Sequence, residues 1–158
     1  MNGDAPDADA LLSRVGFDAA ESVLTRRQAE VLALRERDVP QADIADRLGT
    51  SRANISKVES SARANVRKAR ETVAFADALR APVHVTVEAG TDLYDVPDAV
   101  YDAADEANVA VSLSAPEVMK RVSEVGEDAV ADREVSTRLL LTVDADGDLR
   151  VRAAPDDE

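Results

Sequence analysis

The sequence predicts an α+β protein, with an N-terminal three-helix, helix-turn-helix half at residues 22–80 and a small α/β half at residues 82–154. Three observations predict this class. Two short apolar helices joined by a glycine occupy residues 41–60, and the helical pattern breaks at Pro82. Valines then alternate with polar residues from Val83 to Val87, which is typical of a half-buried strand.

The first 21 residues show no regular helix or strand pattern, whereas a clear pattern for the start of a helix follows them. Residues 1–21 are rich in aspartate and alanine and lack sustained periodicity, so we expect a flexible leader with one short helical turn near Leu11. Thr25 and Gln28 then form the pattern of a capping box, which opens a helix. Its apolar positions recur at helical spacing, which predicts packing behind the two helices that follow. These positions are Leu24, Val31, Leu32 and Leu34.

Residues 41–60 have the spacing of a helix-turn-helix. Two helices that cross steeply need a small residue at their contact, which Ala45 supplies, and a turn residue that tolerates positive φ, which Gly49 supplies. The apolar side chains expected to face the partner helix are Ile44, Leu48, Ile55 and Val58. Thr50 and Ser51 offer hydroxyls that can cap the second helix, which is the one expected in the major groove of DNA.

The early turns of the second helix predict binding to double-stranded DNA, because an ordinary helical hairpin would not need their polar and basic face. The candidate DNA-binding residues are Gln41, Thr50, Ser51, Arg52, Ala53, Asn54, Ser56, Lys57, Ser60 and Arg63. Arg52 suits guanine or a phosphate, and Gln41, at the start of the preceding helix, suits a phosphate oxygen. Asn54 suits adenine, yet its angle points partly toward the contact between the helices.

The second helix continues beyond the motif. At ~100° per residue its apolar stripe runs on through Ala69 and Val73, so the helix either extends as a dimerising stalk or breaks into a linker. Arg63, Arg67 and Arg70 lie ~15–30 Å further along, too far for the same base pairs. We therefore expect them at the DNA backbone or paired with acidic residues.

Three short runs are more specific than a helix-turn-helix frame: GTSRANIS at residues 49–56, AR-x-N at residues 62–65, and KARET at residues 68–72. With these runs, residues 24–72 resemble the amino-terminal half of the Tfx family of archaeal helix-turn-helix transcriptional regulators. The likeness extends more loosely to the acidic second half, and it implies a DNA-binding regulator of transcription. Pro40 departs from the family pattern, where a threonine that could cap the helix and contact phosphate is more usual.

The second half reads as alternating strands and helices after the first strand. We expect a helix at residues 95–107, a strand at 109–113, a helix at 114–126, and strands at 135–143 and 149–152. Ser114 and Glu117 form a second capping box, and Asp146-Gly147 is a hairpin turn signal. The resulting order β-α-β-α-β-β suggests a small sheet with parallel crossovers and helices packed on it.

The composition excludes several classes of site. The chain has no cysteine and one histidine, so disulfides, thiolate metal sites and a histidine cluster are ruled out. The DADGD run at residues 144–148 is a poor calcium loop, because its glycine stands at the fourth place rather than the sixth. No segment reaches the ~18 apolar residues of a membrane helix. We expect no metal, no cofactor, no membrane contact and a cytoplasmic protein.

The net charge of −13 is unevenly distributed. Residues 1–80 hold 13 basic and 13 acidic residues, which leaves 6 of the 19 basic and 19 of the 32 acidic residues for residues 81–158. Residues 51–80 are locally positive, with 7 basic and 3 acidic residues. Arginine outnumbers lysine by 16 to 3 and aspartate outnumbers glutamate by 20 to 12, a bias that resembles proteins of extreme halophiles. In concentrated salt, counterion release contributes little to DNA affinity, so base contacts, packing against the groove and dimerisation would dominate.

Other functions remain open at this point. An enzyme could use carboxylates such as Asp92, Asp95 and Glu117, but no nucleophile–base pair accompanies them, so we assign no catalytic residue. The helical half could instead bind a protein as an adaptor, or the chain could sense a ligand without reading DNA directly. Helix starts near Asp95 and Ser114 could bind a small anionic effector, although Ser114 could simply cap its helix. Because two-fold DNA sites match two-fold proteins, we also expect a homodimer.

Overall fold

A computed structural model describes residues 6–155, which form two compact units, one up to Val73 and one from Ala74 onward. Unit 1 contains helices α1 (Ala8–Val15), α2 (Arg26–Arg35), α3 (Gln41–Leu48) and most of α4 (Arg52–Arg80). Unit 2 contains the end of α4, helices α5 (Val96–Glu106) and α6 (Ala115–Ser123), and strands β1 (Val83–Val87), β2 (Val130–Ala131), β3 (Glu134–Val135), β4 (Leu139–Val143) and β5 (Leu149–Ala153). The α+β class is confirmed. The boundary between the units lies at residues 73–74, earlier in the chain than the boundary predicted at residues 80–82. The end of α4 therefore belongs to unit 2.

The expected leader at residues 1–21 contains a complete helix rather than a single turn. The carboxylate of Asp7 accepts a hydrogen bond from the Asp9 N–H at 3.1 Å, and Gly16 ends α1 in the left-handed conformation with φ of 72°. Leu12 is buried. The polar composition of residues 1–21 predicted a flexible leader, although Asp7 and Gly16 are residue types that cap helices. Residues 1–5 of the expected leader lie outside the described residues.

Unit 1 is built around the contact of α2, α3 and α4. The capping box that opens α2 is confirmed: Gln28 N–H donates to Thr25 Oγ1 at 3.2 Å, and Thr25 N–H donates to Gln28 Oε1 at 3.0 Å. The buried core consists of Val31, Leu34, Val39, Ile44, Ala45 and Ile55. Leu24 and Leu32, by contrast, are only half-buried. The face of α2 that points at the other two helices is therefore narrower than its apolar pattern predicts.

Unit 2 is an antiparallel sheet covered on one face by two helices. The strand order is β1-β4-β5, and the register places Val83 opposite Val143 and Val143 opposite Leu149. All three of these side chains are buried. Helices α5 and α6 pack on the same face through Val96, Val100, Ala104, Val118 and Val122. A short hairpin of β2 and β3 forms a second, separate sheet.

The parallel crossovers and the strand expected at residues 109–113 were wrong. The side chains of this segment alternate between half-buried and exposed, but its backbone forms no hydrogen-bond ladder with a strand within residues 6–155. Instead, Val109 N–H donates to Ala104 O at 2.9 Å, and Ser112 N–H donates to Gly147 O at 3.1 Å. The segment thus runs against the β4–β5 turn. Gly147 permits this approach, because a Cβ there would lie 2.0 Å from the Ala110 carbonyl oxygen.

Two further predictions about unit 2 differ in outcome. The strand expected at residues 135–143 is divided into β3 and β4, and Ser136 N–H between them donates to Ala129 O at 2.9 Å. The hairpin at Asp146-Gly147 is confirmed: β4 and β5 pair antiparallel around it, and Gly147 has a φ of 88°. Asp144 stabilises this turn, since its Oδ1 accepts hydrogen bonds from the Asp146 and Asp148 N–H groups.

Candidate nucleic-acid interface

The turn between α3 and α4 has the expected construction. Gly49 ends α3 in the left-handed conformation with φ of 66°, and its N–H donates to Ala45 O. Ala45 is buried, and Ile44 is fully buried beside it. Since α3 stops at the glycine, α4 starts in a new direction, which is what a helix-turn-helix requires.

The start of α4 is fixed by hydrogen bonds of its own residues. Ser51 Oγ accepts from the Asn54 N–H at 3.1 Å, as an N-cap does. Thr50 Oγ1 accepts from Asn54 Nδ2 at 3.0 Å, so the Asn54 amide turns back along the helix start rather than into the core. Ile55 anchors this end of the helix from behind, because its side chain is fully buried.

The first turns of α4 present an exposed hydrophilic face. Its members are Ser51, Arg52, Ala53, Asn54, Ser56, Lys57 and Ser60, all of them exposed, with Thr50 half-buried beside them. Within residues 6–155, neither Arg52 nor Lys57 has an acidic partner. Two cations are thus free on the helix that the motif assigns to the groove.

Gln41 and Arg63, the other two candidates, contact a carboxylate behind this face. Gln41 Nε2 lies 3.5 Å from Glu59 Oε1, and Arg63 Nε lies 3.4 Å from Glu59 Oε2. Arg63 also approaches Glu36, with 4.0 Å between Nη1 and Oε1. Pairing with acids was one of the two roles expected for Arg63.

Sequence reasoning missed Glu59, which is the central polar residue of unit 1. It is buried, and its Oε1 accepts from Arg35 Nε at 2.5 Å. Burial by itself raises the pKa of the Glu59 carboxyl, but hydrogen bonds from Arg35 and Gln41 outweigh it and hold the pKa below its usual value. A signal was available, because Glu59 interrupts the apolar stripe of α4 between Ile55 and Ala62.

Beyond the first turns, α4 carries a second group of cations. Arg67, Lys68 and Arg70 are exposed, and none of them has an ion pair within residues 6–155. At ~100° and ~1.5 Å per residue, Arg67 and Arg70 lie on the face of Arg52, ~20–30 Å further along the helix axis. The basic edge of α4 therefore extends well past the residues that could share one stretch of groove.

Two of the three acids considered for an enzyme, Asp92 and Glu117, have structural partners instead. Hydrogen bonds from the Tyr94 N–H and from Arg133 lower the pKa of Asp92, and those from the Ser114 hydroxyl and N–H lower the pKa of Glu117. A general acid near neutral pH needs the opposite shift.

Within residues 6–155, no group of His, Asp and Glu is arranged to hold a metal ion. No helix in that range is both long and apolar enough to cross a membrane. His84 contacts the end of α4, with 2.6 Å between its Nε2 and Ala78 O.

The glycine turn, the capped α4 and its exposed basic edge define a helix-turn-helix DNA-binding protein. Comparison with family models agrees: residues 22–68 match "Sigma-70, region 4" and residues 69–151 match "DNA-binding protein, TFX, C-term". The chain belongs to the Tfx family, as its sequence resemblance implied. It is a DNA-binding transcriptional regulator.

Relatives of similar length support this assignment. A protein of Haloarcula marismortui named "putative transcriptional regulatory protein" is 55% identical over 92% of this chain and 92% of its own. One of the same description from Methanocaldococcus jannaschii is 36% identical over 83% of this chain and 96% of its own. The "DNA-binding protein Tfx" of Methanothermobacter thermautotrophicus is 28% identical over 83% of this chain and 95% of its own.

Proposed function

We propose that this regulator is sequence-specific and that the first two turns of α4 enter the major groove. The observation that carries the proposal is the contrast around the start of α4: Ile55 is fully buried while Arg52, Ser56 and Lys57 are exposed. A helix anchored from behind by a buried isoleucine keeps its outer edge turned toward solvent. Base readout needs such an orientation, because hydrogen bonds to base edges are directional.

The exposed residues divide into base contacts and backbone contacts. Arg52 and Ser56 lie one turn apart on the outer edge, where a side chain reaches base edges. Ser51 caps the helix start and Thr50 accepts from the Asn54 side-chain amide, and the other N–H groups of the first helical turn suit a phosphate oxygen. Arg67 and Arg70 are placed for backbone phosphates beyond the groove, so they add affinity but no sequence preference.

Two of the candidate DNA-binding residues, Gln41 and Arg63, would contact DNA only after their side chains leave Glu59. Gln41 and Arg63 share the Glu59 carboxylate, but their hydrogen bonds to it are long, at 3.5 and 3.4 Å. Either side chain can turn from Glu59 to a phosphate that approaches the start of α3 or the fourth turn of α4. Ser60, Asn54 and Ala53 complete the groove-facing edge.

A homodimer is part of the proposal. Two-fold proteins read two-fold sites, and one α4 covers too few base pairs to find an operator in a genome. Large apolar side chains are exposed at the end of α4: Val73, Phe75 and Leu79 are 60%, 56% and 68% exposed. Their burial against a second copy would stabilise the pair. A small effector stays a hypothesis, and the carboxylates of Asp92 and Glu117 at the two helix starts disfavour an anion there.

The proposal is tested by the binding of three variants to two duplexes, one selected by the wild-type protein from a random pool and one of alternating dA-dT, which offers no guanine. Arg52→Ala should weaken the selected duplex by ~1–3 kcal/mol and leave dA-dT nearly unchanged. Arg67→Ala should weaken both alike and lower the salt slope by about one. Lys120→Ala, on the exposed face of α6, is the control and should change neither. Sedimentation of the complex should give two chains per duplex.

Two results would contradict the proposal. If Arg52→Ala weakens both duplexes alike, Arg52 holds a phosphate and the base-reading role is lost. If the wild-type protein selects no sequence from the pool, direct readout is refuted and the adaptor or ligand-sensing alternative takes its place.

A further inference from the structure

The side chain of Glu59 joins all three helices of the helix-turn-helix at one point. Arg35, in the last turn of α2, donates from Nε to Glu59 Oε1 at 2.5 Å and from Nη1 to the Val39 carbonyl at 3.1 Å. Gln41, the first residue of α3, approaches the same Oε1 at 3.5 Å. We name Arg35 and Glu59 the clamp pair. Through it, α2, the turn before α3 and the second turn of α4 are held by directional bonds, and Gln41 adds a longer one from the start of α3.

The apolar core of unit 1 does not supply this directionality. Hydrophobic contact is roughly proportional to buried area and tolerates small rotations and slides of one helix against another. A charge-assisted hydrogen bond at 2.5 Å tolerates much less, since it weakens with angle as well as with distance. Glu59 lies on the same helix as Arg52 and Ser56, two turns and one turn away, so a rotation at Glu59 moves both.

We infer that the clamp pair is a positioning device: it sets the orientation in which α4 presents its groove-facing edge, and so determines sequence discrimination rather than total DNA affinity. The inference rests on the proposed groove-reading role of α4. Neither clamp side chain belongs to the exposed edge, since Glu59 is buried and Arg35 is only 32% exposed. The pair acts through Arg52 and Ser56, without touching DNA itself.

Stability alone is a poor explanation for such a pair. Buried ion pairs are often no more stabilising than apolar residues of similar volume, because removing two charges from water is costly. Geometry is what an apolar replacement cannot reproduce. The pair is also screened by salt less than an exposed one, so the orientation of α4 would persist in concentrated salt, where phosphate contacts weaken.

The test is the double variant Arg35→Met/Glu59→Leu, which removes one positive and one negative charge and therefore keeps the net charge. Affinities are measured for a duplex selected by the wild-type protein from a random pool and for an alternating dA-dT duplex, and unfolding is followed by denaturant. We expect an unfolding midpoint at or above that of the wild type. The ratio of selected to dA-dT affinity should fall about tenfold or more, as when one base contact is lost. The affinity for dA-dT itself should change less than about threefold, because the charge is unchanged.

Two single variants keep the inference testable if the double variant is poorly folded. Glu59→Gln keeps an acceptor for Arg35 in the same place, so it should retain more of the affinity ratio than the double variant does. Glu36→Gln is the matched control: it removes the same charge near Arg63 from a side chain that is 74% exposed. It should leave the ratio unchanged.

The outcomes separate the two proposals. A double variant that folds and keeps the wild-type ratio overturns the clamp inference while the groove-reading role stands. A fall in the ratio with Glu36→Gln equal to that with Glu59→Gln also overturns it, because charge rather than position would then be the cause. If the wild-type protein itself selects no sequence, both proposals fall together.

Discussion

Truncation of Ile55 should separate the stability of unit 1 from that of unit 2. Ile55 is fully buried and packs with five other buried residues, so unit 1 has a small core with few substitutes for one large side chain. Loss of a buried isoleucine side chain to alanine costs ~2–5 kcal/mol, from lost transfer energy and the cavity left behind. A domain of ordinary stability has only ~5–15 kcal/mol to lose. Ile55→Ala should therefore remove a large part of the stability of unit 1 and lower its unfolding temperature. DNA binding should weaken at the temperatures where unit 1 begins to unfold.

The aromatic residues of the chain allow each unit to be followed. There is no tryptophan, and both tyrosines, Tyr94 and Tyr101, belong to unit 2. Tyrosine fluorescence thus reports on unit 2, while far-UV circular dichroism is weighted toward the helices of unit 1. Ile55→Ala should lower the main dichroism transition and shift the tyrosine transition little. Ile55→Val, which removes one methylene, should cost only ~0.5–1.5 kcal/mol. The reasoning is refuted if the two isoleucine variants cost the same, or if both signals shift together by the same amount.

Two further predictions concern backbone strain and pH. Gly90 and Gly147 have nearly the same φ, 89° and 88°, but only at Gly147 would a Cβ meet another atom, the Ala110 oxygen at 2.0 Å. Gly90→Ala should cost ~1–2 kcal/mol, the penalty of left-handed backbone, and Gly147→Ala clearly more by denaturant unfolding; equal costs would mean that the turn gives way. Glu59 has a lowered pKa in the folded chain, so its contribution to stability is present above the unfolded pKa of ~4.3 and is lost as the pH falls through the folded value. The stability difference between the wild type and Glu59→Gln should accordingly shrink below about pH 4, and a difference independent of pH would contradict the ionised state.

Local signals in the sequence predicted the helical half well, because each depends on a few neighbouring residues. Thr25 with Gln28 and Ser51 with Asn54 form caps within one turn of helix, and Gly49 ends α3 through its own φ. The same holds in unit 2 for the Ser114–Glu117 box, whose backbone bond measures 2.8 Å. Such features depend on residues within one or two turns of each other, so the pattern alone suffices.

Long-range choices were beyond the sequence. The side chains of residues 109–113 alternate in polarity as in a strand, yet the Ser112 hydroxyl donates to Gly147 O, in a turn 35 residues away. Alternation indicates which side chains are buried, not what the backbone pairs with. The role of Glu59 was hidden for a similar reason, since its partner Arg35 lies 24 residues earlier on another helix. Most of the DNA-binding residues predicted from the sequence lie on the exposed face of α4, where the helical period alone places them.

The acidic charge of the whole chain does not conflict with the DNA-binding edge proposed for α4, because the cations on that edge have no acidic partner within residues 6–155. After residue 81, none of the six basic side chains is free: they pair with acids, donate to carbonyls, or, for Arg152, have another contact. On α4, by contrast, Arg52, Lys57, Arg67, Lys68 and Arg70 have no acidic partner within residues 6–155. Screening over ~10 Å at 0.1 M salt limits how far the acids of other surfaces can act on a phosphate at α4. A phosphate there meets unpaired cations first, so an acidic protein can bind an acidic polymer along α4.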